Sequence, residues 1–162
     1  MINNILVLGP KCSGKTSFIY TLLKIKIIPT VTIGADMYVY KYSNTKKIYL
    51  WDIGNGLYYN EVINPLLIKV NTIIIIENKK NIDFIKKTIL YIKNYSSIKN
   101  IIIIFNLIDY NNNLINNFNN LINKYIESLD LDIKFNIFSI DCNKYEEVKN
   151  IISFIKNNIP LY

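Results

Sequence analysis

Near the N-terminus, Gly9-Pro10-Lys11-Cys12-Ser13-Gly14-Lys15-Thr16 sets two glycines, a lysine and a hydroxyl in the spacing G-x-x-x-x-G-K-(S/T). These residue types at this spacing suit a polyphosphate. A tight turn aims successive backbone N–H groups inward, and the helix that opens behind it adds the positive end of its dipole. Lys15 is placed to lie along the β- and γ-phosphates, and the Thr16 hydroxyl to help hold Mg²⁺. Gly9, Lys11, Cys12, Ser13, Gly14, Lys15, Thr16 and the adjoining Ser17 are therefore the candidate phosphate-binding residues. The motif alone does not choose among nucleotide kinases, ATPases and GTPases. Kinases acting on small acceptors clamp their substrates with arginines, and this chain has no Arg, which argues against that class.

The motif works only between a strand and a helix, and the surrounding pattern supplies both. Ile5–Leu8 is an apolar run of strand length, and an apolar-patterned segment runs from Thr16 to about Lys26. Met37–Tyr42 and Ile48–Trp51 flank the turn-forming SNTKK and predict a hairpin. Ile73–Ile76 and Ile101–Phe105 are continuous apolar runs, the mark of parallel strands covered on both faces. Between them Phe84, Ile85, Thr88, Ile89 and Ile92 recur at helical spacing, and a second helix is expected from Leu114 to about Leu129. Ile133–Ile140 alternates as a last strand, and Val148, Ile151, Ile152 and Ile155 mark a closing helix. The order β-α-β-β-α-β-α-β-α-β-α predicts an α/β fold with a mostly parallel sheet and helices on both faces. No repeat, linker or domain boundary interrupts residues 1–162, so one domain is expected.

Composition narrows the partners. The 162 residues are 51% hydrophobic and 19% charged, which favours a packed core over disorder. Apolar runs fall far short of the ~20 residues of a membrane span. MINNILVLGP has no basic stretch before its apolar residues, and neither Ile2 nor the ending NNIPLY fits a common lipidation motif. A cytoplasmic protein is expected, peripheral at endomembranes only through partners. Two cysteines and no His make a disulfide framework or a zinc site a poor expectation. Ile and Asn exceed a third of the chain, so Asn runs such as Asn111–Asn113 carry little functional weight. The net charge of +7 comes from lysine alone, and the lysines are not interleaved with aromatics on one element. No nucleic-acid role is expected.

After the Ile101–Phe105 run stands Asn106-Leu107-Ile108-Asp109, and here the chain resembles the Ras/Rab/Arf superfamily of small GTPases, whose guanine motif is N-K-x-D. The resemblance implies the P-loop NTPase fold, with a six-stranded sheet and one antiparallel edge strand. It also implies GTP/GDP and Mg²⁺ as ligands, and effector or regulatory proteins bound through the switch regions. Asp109 matches the carboxylate that accepts from guanine, and Asn106 the residue tying that loop to the base and the phosphate loop. Thr32, in Thr32-Ile33-Gly34, matches the threonine that closes on Mg²⁺ and the γ-phosphate. Asp52, in Trp51-Asp52, matches the carboxylate that holds Mg²⁺ through water. Thr16, Thr32 and Asp52 thus form the expected metal set, with Lys15 and Thr32 the candidate catalytic residues. Asp141-Cys142-Asn143 sits where backbone N–H contacts the guanine O6, so Cys142 and Asn143 join the nucleotide-binding set.

The departures fall on hydrolysis. In register with W-D-x-x-G-Q the chain reads Trp51-Asp52-Ile53-Gly54-Asn55-Gly56. Asn55 replaces the γ-phosphate-sensing glycine, Gly56 replaces the water-orienting glutamine, and the chain holds no other Gln. Gly54 offers a one-residue register slip that does not restore the glutamine. Leu107 stands in place of the family's lysine, and Lys11 where relatives carry a small residue. The expectation is a divergent Rab-like or Arf-like GTPase with slow hydrolysis, a switch in membrane trafficking. The alternative is a catalytically inactive pseudo-GTPase serving as a nucleotide-binding scaffold.

Overall fold

The computed structural model describes residues 3–54, 60–78, 82–107 and 112–159. Eleven elements follow in chain order: β1 (Asn3–Leu8), α1 (Lys15–Leu23), β2 (Ala35–Lys41), β3 (Lys47–Ile53), α2 (Asn60–Leu67), β4 (Thr72–Glu77), α3 (Asp83–Ile92), β5 (Asn100–Asn106), α4 (Asn112–Glu127), β6 (Lys134–Ile140) and α5 (Tyr145–Asn158). This is the alternation expected from the sequence. The sheet runs β2-β3-β1-β4-β5-β6. Among the described residues only the β2–β3 pair is antiparallel, running from Ala35↔Ile53 to Lys41↔Lys47, and it puts β2 at one edge.

The isoleucine runs explain the centre. Every residue of β4 and of β5 is buried, because each strand is covered on both faces. On one face Ile74, Ile76, Ile102 and Ile104 pack with Phe18, Ile19 and Leu22 of α1 and with Val148, Ile151, Ile152 and Ile155 of α5. On the other, Ile73, Ile75, Ile101 and Ile103 pack with Ile63 and Leu67 of α2, Ile85, Ile89 and Ile92 of α3, and Ile122 of α4. The expected helix from Thr16 ends sooner than Lys26, because Lys24 turns left-handed (φ 56°) and donates its N–H back to Thr21 and Tyr20.

From β1 the chain leads to β3 on one side and to β4 on the other. That reversal opens a crevice beyond the carboxyl ends of the strands, where open α/β sheets bind ligands. The carboxyl ends of β1, β3, β5 and β6, which run parallel, all point there. No helix among the described residues is long and apolar enough to cross a membrane.

Truncation of a core isoleucine should be costly. Ile74→Ala is expected to lower stability by about 2–5 kcal/mol, whereas Ile28→Ala, on an 86% exposed side chain, should stay within about 0.5 kcal/mol. Urea unfolding of the two variants checks this.

Candidate functional site

The phosphate loop spans the gap between β1 and α1, and its acceptors are turned toward protein. Lys15 Nζ donates to Gly9 O at 3.0 Å and to Pro10 O at 2.9 Å. Asn106 Nδ2 donates to Ser13 O at 3.1 Å, and Phe18 N–H to Gly14 O at 2.8 Å. Carbonyl and N–H point oppositely across a trans peptide, so fixing Ser13 O sends the Gly14 N–H the other way. Gly14 caps α1 without any side-chain hydrogen bond, and no acidic residue lies in the first turn. The opening N–H groups of α1 have no intrahelical partner and gather positive potential. The result is a cradle of donors suited to an anion.

Both glycines of the phosphate loop are required by close approach. A Cβ on Gly9 would run into Ile76 O and the Ser13 hydroxyl, and one on Gly14 into Asn106 Nδ2. Gly14 also holds φ +104°, which side chains rarely adopt. Lys15 is 6% exposed, and burial lowers its pKa from the ordinary lysine value against the opposing pull of Asp52, Cys12 and Glu77. A buried ammonium of this kind gains most from an anionic ligand.

The three residues expected to hold metal converge. Thr16 Oγ1 donates to Asp52 Oδ2 at 2.5 Å and Thr32 Oγ1 to the same oxygen at 2.9 Å, with the two hydroxyls 3.3 Å apart. Asp52 is fully buried, and its Oδ1 has no hydrogen-bond partner among the described residues. Two hydroxyls and a carboxylate with a spare buried lone pair make an all-oxygen set, which fits Mg²⁺. Thr32 gets there because the loop before β2 lies directly on Gly54: a Cβ on Gly54 would strike Thr32 O, and Gly54 N–H donates to Gly34 O at 2.8 Å. That bond commits the Gly54 N–H to holding the loop. Asn55 and Gly56 lie outside the described residues.

Asn106, the last residue of β5, ties together the loops after β1 and β6. Besides Ser13 O it accepts the Cys142 N–H at 3.0 Å, and it is itself fully buried. Cys142 therefore meets the site through this amide. Its thiol is buried and pushed well above the ordinary range by desolvation and by Asp141 and Glu147. The Asn143 N–H donates to Asp141 Oδ1 at 2.9 Å. Asp109 lies outside the described residues. Trp51 packs against the core and donates Nε1–H to Asn4 Oδ1 at 3.2 Å. Lys11 through Ser17, Pro29 through Thr32 and Gly54 line one open cleft of about 260 Å³. One contact to the loop had no sequence signal: Asn78 Nδ2 donates to Cys12 O at 2.6 Å. An asparagine after a strand is unremarkable in a chain this rich in asparagine.

Phosphate loop, all-oxygen set and strand order together define a P-loop nucleotide-binding protein. Residues 4–109, well over half of the chain, match the Roc family, the Ras of Complex domain of DAPkinase. The chain belongs to this family and so to the Ras-superfamily small GTPases, proteins that bind GTP. No curated protein sequence matches it. Among solved structures it is similar to the Arl6 BBS3 small GTPase of Trypanosoma brucei with bound nucleotide analogue GppNp, at 15% identity and TM-score 0.75, covering 97% of this chain and 96% of that one. It is equally similar to a bacterial selenocysteine-specific elongation factor, EF-Sec, at 14% identity and TM-score 0.76 over 97% of this chain. Of that longer protein it spans only 28%. With 1299 chains of known structure matching, the fold by itself selects no finer function.

Gly14→Ala should strain both the backbone and the Asn106 contact. A loss of about 2–3 kcal/mol of stability is expected in a thermal or urea melt, larger than the usual exposed Gly→Ala change.

Proposed function

We propose that this chain, as a single G domain, is a guanine-nucleotide-binding regulatory protein that hydrolyses GTP slowly and recruits partners through residues 29–34 and the segment after Asp52. The observation that carries this reading is the convergence of Thr16 and Thr32 on the buried carboxylate of Asp52, beside a cradle of backbone donors. Mg²⁺ held by Thr16, Thr32 and Asp52 would neutralise charge on the phosphate oxygens. Lys15 and the first N–H groups of α1 bind and orient the polyphosphate, and Asp109 selects guanine. Water attacks the γ-phosphorus as the bond to the β-phosphate oxygen breaks. No Gln or Arg exists in the chain to orient that water or to offset the developing charge, so the step is slow.

Five of the eight exposed large hydrophobics among the described residues are Ile27, Ile28, Val31, Ile33 and Met37, all in or beside the loop that carries Thr32. So concentrated an apolar exposure suits a protein partner. A role in membrane trafficking follows the Rab-like and Arf-like cast of Thr32-Ile33-Gly34 and Trp51-Asp52, with any endomembrane contact made through partners. The second reading, a pseudo-GTPase scaffold, draws support from Asn55, Gly56 and Leu107 and from the Gly54 N–H being spent on Gly34 O.

Fluorescent GDP and GTP should bind tightly only with Mg²⁺ present, with ATP far weaker. Lys15→Ala should abolish binding, and Asp109→Ala should erase the preference for guanine. Phosphate release should stay at or below about 10⁻⁴ s⁻¹. A rate indistinguishable from buffer, even with candidate activating proteins, would select the scaffold. Equal binding of ATP and GTP would overturn the guanine assignment.

A further inference from the structure

Cys12 holds a left-handed backbone (φ 62°) in the middle of the phosphate loop, a conformation that costs a side-chain-bearing residue roughly 1–2 kcal/mol. The peptide that follows it is gripped from both sides. Its carbonyl, Cys12 O, accepts from Asn78 Nδ2 at 2.6 Å, and its N–H, on Ser13, donates to Pro10 O at 3.2 Å. Asn78, 66 residues away in sequence, comes from just beyond the end of β4, the strand neighbouring β1. The amide can meet that carbonyl only through its NH₂ group, since its own oxygen would set acceptor against acceptor. The next carbonyl, Ser13 O, is held by Asn106 from the end of β5. Two asparagines from the carboxyl ends of the adjacent β4 and β5 thus hold consecutive carbonyls from outside the cleft.

We infer that Asn78 is a positioning residue for nucleotide binding: by holding Cys12 O it keeps Cys12 left-handed and the donors of the phosphate loop aimed into the cleft. The inference rests on the reading of this cleft as a nucleotide site. Asn78 itself is not among the residues that line the cleft. Its effect is carried by the Cys12–Ser13 peptide, and it should depend on what residue occupies position 12.

The test is a double-mutant cycle on the full chain, read by Mg²⁺·GDP affinity and by amide hydrogen exchange of the loop without nucleotide. Asn78→Ala should weaken GDP binding about 5- to 10-fold, the effect of one lost hydrogen bond. Loop exchange in the nucleotide-free chain should quicken severalfold while β4 and β5 keep their protection. In a Cys12→Gly background, where a left-handed backbone costs nothing, Asn78→Ala should weaken binding no more than about twofold. Affinity within twofold of wild type in the single variant, or an equal loss in both backgrounds, overturns the inference. Exchange that quickens throughout the sheet overturns it too, since that would mark a general fold defect. If the unmutated chain binds no GDP, the nucleotide reading itself fails, and unchanged loop exchange in Asn78→Ala separately rules out the clamp.

Discussion

One buried amide holds the site together. The Asn106 side chain, at the end of β5, donates to Ser13 O and accepts from Cys142 N–H, so the loops after β1 and β6 meet at a single group with no access to water. Both of its hydrogen bonds are made in the interior, where losing one strands a polar partner at a cost of about 1–3 kcal/mol. The geometry around it follows. Gly14 has no room for a Cβ because Asn106 Nδ2 lies against it, and the Gly14 N–H faces away from Asn106 because the preceding carbonyl faces toward it. The donors of the cradle are oriented by where the acceptors are tied.

Most of this arrangement was legible in the residues. The phosphate loop could be read because its spacing encodes a turn geometry. β4 and β5 could be read because four consecutive β-branched isoleucines in a run of strand length suit a strand covered on both faces. Of the two ties that the resemblance implies for Asn106, to the base and to the phosphate loop, the second is present as its bond to Ser13 O. α2 was expected only as an unplaced helix, for a physical reason: it is short and carries Pro65 inside, so its local propensity is poor. It is supported from outside, by Ser97 Oγ donating to Leu67 O and by Tyr91 and Tyr95 hydroxyls on Asn64. Such long-range contacts leave no periodicity. The Asn78 bond is hidden for the same reason, as is the engagement of the Cys142 N–H by Asn106.

Binding and hydrolysis ask different things of this fold, and the residues divide along that line. What suits a polyphosphate is backbone direction, a buried lysine and an oxygen set, and these are built into the loop from β1 to α1, the start of α1, the loop before β2 and the end of β3. What accelerates hydrolysis is a side chain that orients water or supplies charge late in the reaction, and the chain has neither Gln nor Arg to do so. Gly54 illustrates the division. Its N–H and its missing Cβ are both used to seat the loop that brings Thr32 to Asp52.

The central claim is that the donors of the phosphate loop face a guanine nucleotide. An amide NMR titration of the full chain with Mg²⁺·GDP, with Mg²⁺·ADP as control, tests it most directly. The account predicts downfield movement of the Gly14, Lys15, Thr16 and Ser17 amide protons as they take up phosphate oxygens, while the Asn106 side-chain amide stays in place, and no comparable response to ADP at equal concentration. Amides of residues 14–17 that stay still at saturating Mg²⁺·GDP, or that move equally with ADP, would contradict it.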